Sequence, residues 1–528
     1  MVTQQLQNDW YAVHAYRPVL IETFVDPSRY SGACYQASNW QHVGLTTGKD
    51  WQDSDTNNRA GNAKLIFVFP LQPNFRTLLR NQKTTNQPIQ ADEKFIALWG
   101  KVVHIIADVA QTFDQQWQKR QRVVNSLLLI FLIFRLVLSK NSQGYGTTLA
   151  EFWANCHRLK FPLPQKKPIS ASSFSDARKK LDENLFKVLN KRIIDAYSDD
   201  QNQHLWFNHR LFAVDGSRLN LPRPLVDNGY KTSGSHSHYP QGLLSCLYQL
   251  KSKIPCDFDL VNHTNERQCA LAHLKALNKN DVVVYDRGYF SYAMLYFHVQ
   301  AAVHPIFRLQ TNTFNAIEDF MASDIQDQIV TLLPSDDVQR DIKKRYPTIN
   351  IIPLKIRLIK YTIADKTYYL GTTLMDQIYT PKDLSEVYHA RWGIEELYKI
   401  SKQAINVDDF HGKSERTVKQ ELFAHFVLIT MSRLCSNESE NILSNLLQPI
   451  DKKAGTPQKI QVNFKNCVTT MAQYLESILF APAQCIKTLM DNILDSISRN
   501  RCKTRPNRSY PRKSMQPRNK WHKCAAKT

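Results

Sequence analysis

The sequence predicts an α/β protein with a helical N-terminal region, a mixed core and a β-rich segment set into that core. Three observations carry this reading. Two strongly apolar runs, LFAVDGSRLNLP (211–222) and DVVVYDRGYFS (281–291), read as buried strands that end in an acid and a turn. From about Asp92 to residue 205 the apolar residues instead recur at helical spacing. Between Arg308 and Pro381 a second block of strand-like runs interrupts the core before helices return. The chain has 528 residues, enough for two or more domains.

Residues 1–91 are rich in aromatics and Gly and close on the strand-like KLIFVFPL (64–71). Residues 92–205 form a helical region that is a candidate for DNA binding. Its most apolar run, VVNSLLLIFLIFRLVL (123–138), carries Asn125, Ser126 and Arg135. That run falls short of the roughly twenty apolar residues a spanning helix needs, so a buried helix is expected. In PISASSFSDARKKLDENLFKVLNKRIIDAY (168–197), Ser173 and Asp176 have capping-box spacing. Arg178, Lys179, Lys180 and Lys191 there are candidates for phosphate contact, although a charged helix face is ordinarily just solvated.

Residues 206–309 make the first part of the core. They comprise a strand ending at Asp215-Gly216, two strands around a turn in GLLSCLYQLKSKIPCDFDLV (242–261), a helix at CALAHLKAL (269–277) and a strand ending at Asp286. Residues 310–380 are the β-rich insertion, with IIPLKIRLIKYTI, a turn at Ala364-Asp365-Lys366, and TYYLGTTL. Residues 381–495 return to the core and continue into long helices such as KQELFAHFVLITMSRL (419–434). From 496 to 528 there is no Asp or Glu, while Arg and Lys recur and prolines interrupt. This tail is predicted to be disordered when free and to lie along a phosphate backbone.

Composition narrows the function. Lys plus Arg total 68 against 47 acidic residues, a net charge of +21. Such an excess points to a polyanionic partner, with nucleic acid ahead of an anionic membrane surface. The start, MVTQQLQNDW, has no signal-peptide pattern. The ten cysteines contain no CxxC pair, which leaves a zinc ribbon or a disulfide framework unsupported and favours reduced thiols in a cytoplasmic setting.

The chemistry lies in two acids and one stripe. Asp215 and Asp286 each close an apolar strand, and in an α/β sheet functional groups collect just past the carboxyl ends of strands. An Asp before Gly is more often a turn former, but two at such ends are harder to dismiss. In SEVYHARWGIEELYKISKQ, Tyr388, Arg391, Glu395 and Lys402 follow at intervals of three, four and seven residues. On a single helix these fall within about 60° of each other, with Ile394 and Leu397 facing the core. Such a stripe is ordinarily a wet face. Set beside two Asp, Glu395 becomes a third hard oxygen donor for Mg²⁺, and two such ions can drive in-line phosphoryl transfer. Arg391, Lys402 and Tyr388 would then hold DNA phosphates without reading bases.

From about Arg122 onward the chain resembles bacterial insertion-sequence transposases of the IS4 group. VDGS looks like that group's first Asp motif, YDRGYFS like its second, and YHARWGIEELYKISK matches its Tyr-Arg-Glu-Lys signature at every interval. The resemblance implies an RNase H-like fold with a β-rich insertion domain between the second Asp and the Glu. It implies Asp215, Asp286 and Glu395 as catalytic metal ligands for two Mg²⁺ (or Mn²⁺) ions, and Tyr388, Arg391 and Lys402 at DNA phosphates. It further implies cut-and-paste transposition through hydrolysis and strand transfer at terminal inverted repeats, a hairpin step and a synaptic homodimer on double-stranded DNA. The stretch DWYAVHAYRPVLIETFVDPSRYSGACYQASNWQHVGLTTG (9–48) resembles the end of a domain found in a Druantia anti-phage protein. Its Asp26, Cys34 and His42 form no defensible catalytic arrangement. The rival reading is a domesticated or inactive copy that acts as a DNA-binding regulator or defence component. A junction or hybrid nuclease on the same fold gives no reason for the stripe.

Overall fold

The computed structural model describes residues 2–14, 17–46, 63–76, 79, 89–118, 123–138, 144–200, 205–234, 237–311, 314–363, 366–403, 405–447, 461–480 and 483–502. The basic tail from Lys503 and the turn at Ala364-Asp365 lie outside the described residues.

Near the N-terminus, β1 (Leu20–Val25), β2 (Gln41–Leu45) and β3 (Leu65–Pro70) form a small antiparallel sheet in the order β1–β3–β2. Asp26 accepts hydrogen bonds from the backbone N–H and the hydroxyl of Ser28, and Cys34 is exposed.

The helical region follows. Asp92 caps the helix Glu93–Trp117 by accepting the Phe95 N–H. This helix is long and apolar enough to cross a membrane by length and composition, but Leu98, Trp99, Val102 and Ile106 are buried in a shared helical core. Ser126–Leu138, the run expected to be buried, is sealed in the same core. The expected cap at Ser173 moves. The helix Ala171–Arg178 is capped by Ser170, whose hydroxyl accepts the Ser173 N–H, so Ser173 and Asp176 lie inside it. Nor does Arg178 face phosphate. It is fully buried, donating to Glu421 at 2.8 Å, to Gln420 and to the Thr417 carbonyl. A second group of helices, Glu415–Leu447, Phe464–Phe480 and Ile486–Ser498, completes this core through Phe426, Met471 and Leu494. Helices far apart in sequence thus bury one set of apolar faces together.

The central sheet holds β4 (Leu211–Asn220), β5 (Lys231–Thr232), β6 (Pro240–Gln249), β7 (Ile254–Val261), β8 (Val282–Tyr285), β9 (His304–Arg308), β10 (Asp327–Leu332), β11 (Leu354–Ile363) and β12 (Lys366–Thr372). The order is β10–β11–β12–β9–β8–β4–β6–β5, with β7 also paired to β6. Only β4–β8 and β8–β9 are parallel. Side-chain alternation sends Val282 and Val284 to one apolar layer with Leu384 and Tyr388, and Val283 and Tyr285 to the other with Phe307 and Phe320.

Residues 310–380 extend this sheet. β12 pairs antiparallel with β9, from Leu370↔Arg308 to Thr372↔Ile306. The segment also contains the helices Asn315–Ala322 and Asp336–Arg345, which its strand pattern did not announce. Past the helices, β13 (Gln461–Val462) pairs with β14 (Arg501–Cys502).

Candidate active site

Asp215 sits inside β4 and does not end it. The strand continues because β6 pairs with it from Phe212↔Gln249 to Asn220↔Gln241, while β8 pairs only with Leu211, Phe212 and Ala213. The last parallel partners are Ala213 and Val284, so Asp215 and Asp286 each lie two residues further along. They therefore share a row at the point where β8 stops and the sheet parts.

Asp286 follows β8 and opens the turn Arg287–Tyr289. Its Oδ1 accepts the Tyr388 hydroxyl at 3.1 Å. Burial works against the charged form, but the Arg287 backbone N–H and the nearby Arg391 outweigh it, and the carboxyl is held below its usual range. Asp215 goes the other way. Burial dominates over the Gly216 N–H and Arg391 and pushes its carboxyl up to about 6.

The stripe that sequence spacing places on one helix is divided. Thr380 and Asp383 form a capping box and Pro381 occupies the first turn of Pro381–Ala390. The chain then tightens at Arg391, whose N–H donates to the Tyr388 carbonyl three residues back and whose own carbonyl accepts the Ile394 N–H at 3.0 Å. Trp392–Gln403 is a second helix, and Gly393 beside the break favours interruption. Ile394 and Leu397 face the core as expected.

This break seats Arg391 between the acids. It is 5% exposed. Its Nη2 donates to Glu395 Oε1 at 2.8 Å, and its Nη1 stands 4.0 Å from Asp215 Oδ2. Burial alone would lower its pKa, yet Tyr388, Asp286 and Asp215 raise it above the ordinary value. Glu395 keeps a half-open side chain. Lys402 Nζ donates to Ser217 Oγ and to the Arg218 carbonyl, both at 2.7 Å. The buried Tyr398 hydroxyl donates to the Asp215 carbonyl at 2.7 Å. The second helix is thus fastened to β4 at two levels. Tyr388, Arg391 and Lys402 each donate to a protein group here, while the buried Arg391 Nε has no hydrogen-bond partner among the described residues.

The sequence points to Asp215, Asp286 and Glu395 as metal ligands. Among the described residues no group of three or more His, Cys, Asp or Glu side chains converges to hold a metal ion. Instead the Arg391 guanidinium pairs with Glu395 and neighbours Asp215. The donor set itself, carboxylate oxygens only, suits a hard divalent cation.

Sequence reasoning missed Glu266. It begins the helix Glu266–His273, capped by Asn265. A Cβ on Gly216 would lie 3.2 Å from its Cδ, and its charge adds to those that raise Asp215. The Asn-Glu pair after a strand is a legible helix start, but only the fold brings it to Asp215.

No curated protein matches the chain. Among solved structures the chain is similar to one described as a cryo-EM structure of a piggyBac transposase synaptic complex with hairpin DNA, at 11% identity and a TM-score of 0.37, over 75% of this chain and 85% of that one. Residues 206–431 match the family model described as the transposase DDE domain. That match spans Asp215, Asp286, Glu395 and the whole Tyr388–Lys402 segment, and it supports a DDE-type transposase.

Proposed function

We propose that this protein is an insertion-sequence DNA transposase of the IS4 type that binds terminal inverted repeats and carries out hydrolysis and strand transfer at their ends. The observation that carries the reading is the shared row of Asp215 and Asp286 at the parting of β4 and β8, faced by Glu395 across Arg391. Two acid-bearing strands side by side and parallel at the centre of a mixed sheet support an RNase H-like core. The formal charge of +21 supports a double-stranded DNA partner.

Asp215, Asp286 and Glu395 would hold Mg²⁺ or Mn²⁺, which when bound activates an attacking oxygen and stabilises a leaving one. Water adds to phosphorus, the bond to the 3′ oxygen breaks, and that oxygen leaves as a 3′-OH. The hydroxyl then gives up its proton and attacks a phosphorus of the target, and the bond to the target's own 3′ oxygen breaks, that oxygen leaving as a new 3′-OH. Arg391, exchanging Glu395 for a phosphate, grips it with two parallel N–H groups. Tyr398 and Lys402 keep the Glu395 helix registered on β4. A homodimer would bring two ends together.

The test is a gel assay on labelled inverted-repeat DNA with the full chain, scoring binding and cutting separately. Cutting with Mg²⁺ that stops on chelation supports the reading. Tight end binding with no cutting under Mg²⁺ or Mn²⁺ would make it a binding protein and defeat the proposal.

A further inference from the structure

Beside Asp215 stands an acid outside the expected triad. Glu266 opens the helix Glu266–His273 and is exposed. No Lys, Arg or His stands at ion-pair distance from it among the described residues. A carboxylate in the first turn of a helix ordinarily serves the helix dipole. Its surroundings here go beyond that need. Gly216, the residue after Asp215, leaves room for it. A Cβ on Gly216 would stand 3.2 Å from both Cγ and Cδ of Glu266, so the missing Cβ lets the acid lie against the backbone of β4. The same helix turn is tied to the turn that Asp286 opens, because Arg267 Nε donates to the Gly288 carbonyl at 3.0 Å. At the far end of the helix, His273 bonds Asp257 at 2.8 Å and Ser245 at 3.0 Å. The helix is thus pinned at both ends. Finally, the Tyr289 hydroxyl is buried and has no hydrogen-bond partner among the described residues. Burial first, then Glu266 and Asp215, raise its pKa, so an orphaned donor stands beside these two acids.

We propose that Glu266 is a fourth carboxylate of the divalent-cation site and gives an oxygen to the ion held at Asp215. The proposal rests on the transposase reading for the presence of that ion. Two carboxylates completed by waters and a substrate phosphate are an ordinary ligand set for Mg²⁺. Arg391 pairs with Glu395 and neighbours Asp215, so it competes with a cation for those two acids. Glu266 has no such competitor. Among the acids it adds more than Glu395 does to the rise at Asp215. Like charges placed together without a counter-charge are what a divalent cation relieves. The Gly216 gap and the pinned helix hold Glu266 there before any ion arrives.

The test is a Mn²⁺ titration of the full chain, without DNA and again with inverted-repeat duplex, read from the EPR signal of the free ion. Wild type should bind and Asp215→Asn should lose binding. Glu266→Gln should bind about tenfold more weakly or worse. Glu266→Asp keeps the charge on a shorter stem and should fall between. Gly216→Ala should also weaken binding, because its Cβ drives the Glu266 stem away. Glu396→Gln should match wild type. Melting in EDTA reports the fold without the ion, and there Glu266→Gln should match wild type. Added Mn²⁺ should then raise the melting temperature of wild type more than that of Glu266→Gln. Wild-type affinity in Glu266→Gln, alongside loss in Asp215→Asn, would overturn the proposal and leave the transposase reading standing. If wild type binds Mn²⁺ no better than Asp215→Asn, with or without duplex, the reading of the acids as cation ligands fails and this proposal with it. Should Glu266→Gln unfold, Glu266→Asp and Gly216→Ala carry the comparison.

Discussion

Arg391 donates to Glu395 at 2.8 Å one helical turn away, and the same guanidinium stands 4.0 Å from Asp215. One cation therefore touches the third acid while neighbouring the first. Glu395→Gln keeps size and helix propensity but removes the charge a hard cation requires. End binding should persist and strand cleavage should fall by about a thousandfold or more, since misplacing reacting groups by an ångström is already costly. Glu396→Gln should do far less, because that side chain points about 100° away. A cleavage gel on both variants decides it. An active Glu395→Gln beside a dead Glu396→Gln would reverse the assignment.

Asp215 titrates near 6 because burial disfavours its ionised form, against an ordinary 3.8. The unfolded chain ionises this group earlier than the native one does. Its protonated form therefore stabilises the fold, fully below about pH 4, and that contribution is lost as pH rises through about 6. In metal-free protein, Asp215→Asn should raise stability at pH 8 by something on the order of 2 kcal/mol and change little near pH 3.5. Urea unfolding at the two pH values measures it. An equal gain at both would mean the effect is not ionisation of this carboxyl.

Arg178 and Glu421 form a 2.8 Å ion pair with both side chains sealed from solvent, and Glu421 also accepts the His411 and Gly412 N–H groups. Removing one partner strands the other's charge. Arg178→Met or Glu421→Gln alone should cost about 3–5 kcal/mol, and the double change Arg178→Met with Glu421→Leu should cost clearly less than the sum. Denaturant midpoints of the four proteins test this. Normal stability in Arg178→Met would return Arg178 to a surface role.

The first segment should be dispensable for cutting, but its boundary lies earlier than composition places it. Ile89 and Ala91 are buried in the helical core, and the Ala91 N–H donates to Asp491 at 2.8 Å. A chain starting at Ile89 should cut inverted-repeat DNA like the full protein, whereas one starting at Asp92 should be less stable by about 1–3 kcal/mol. A soluble 89–528 chain that binds ends without cutting would bring the N-terminal sheet into the mechanism.

The strands that lead to Asp215 and Asp286 were readable because runs such as VVVY are continuously apolar and rich in β-branched and aromatic residues, as a doubly covered strand demands. The burial of Ser126–Leu138 was readable from composition alone. The position of Asp215 within its strand was not, since only the reach of β6 sets where β4 stops. The break at Arg391 was hidden because its neighbours keep helical spacing and its backbone stays near helical angles. Arg178 looked like surface because its partner lies 243 residues away. Glu266 joined the site through the fold, which no local pattern encodes.

The pairing of β9 with β12 has a further consequence for chain length. The Leu309 N–H donates to the Tyr369 carbonyl at 2.9 Å, so the excursion from 310 to 368, which adds strands at the sheet's edge, starts from β9 and returns beside it. It behaves as a closed ring whose circumference is uncoupled from the spacing between Asp286 and Glu395. Doubling such a ring costs only about 0.6 kcal/mol of closure entropy. Insertions and deletions here should therefore be tolerated, and even a transplanted excursion should leave the acids in register. The one requirement is a lid of apolar side chains such as Ile317, Phe320 and Leu354, which keep Phe290 and Phe307 dry.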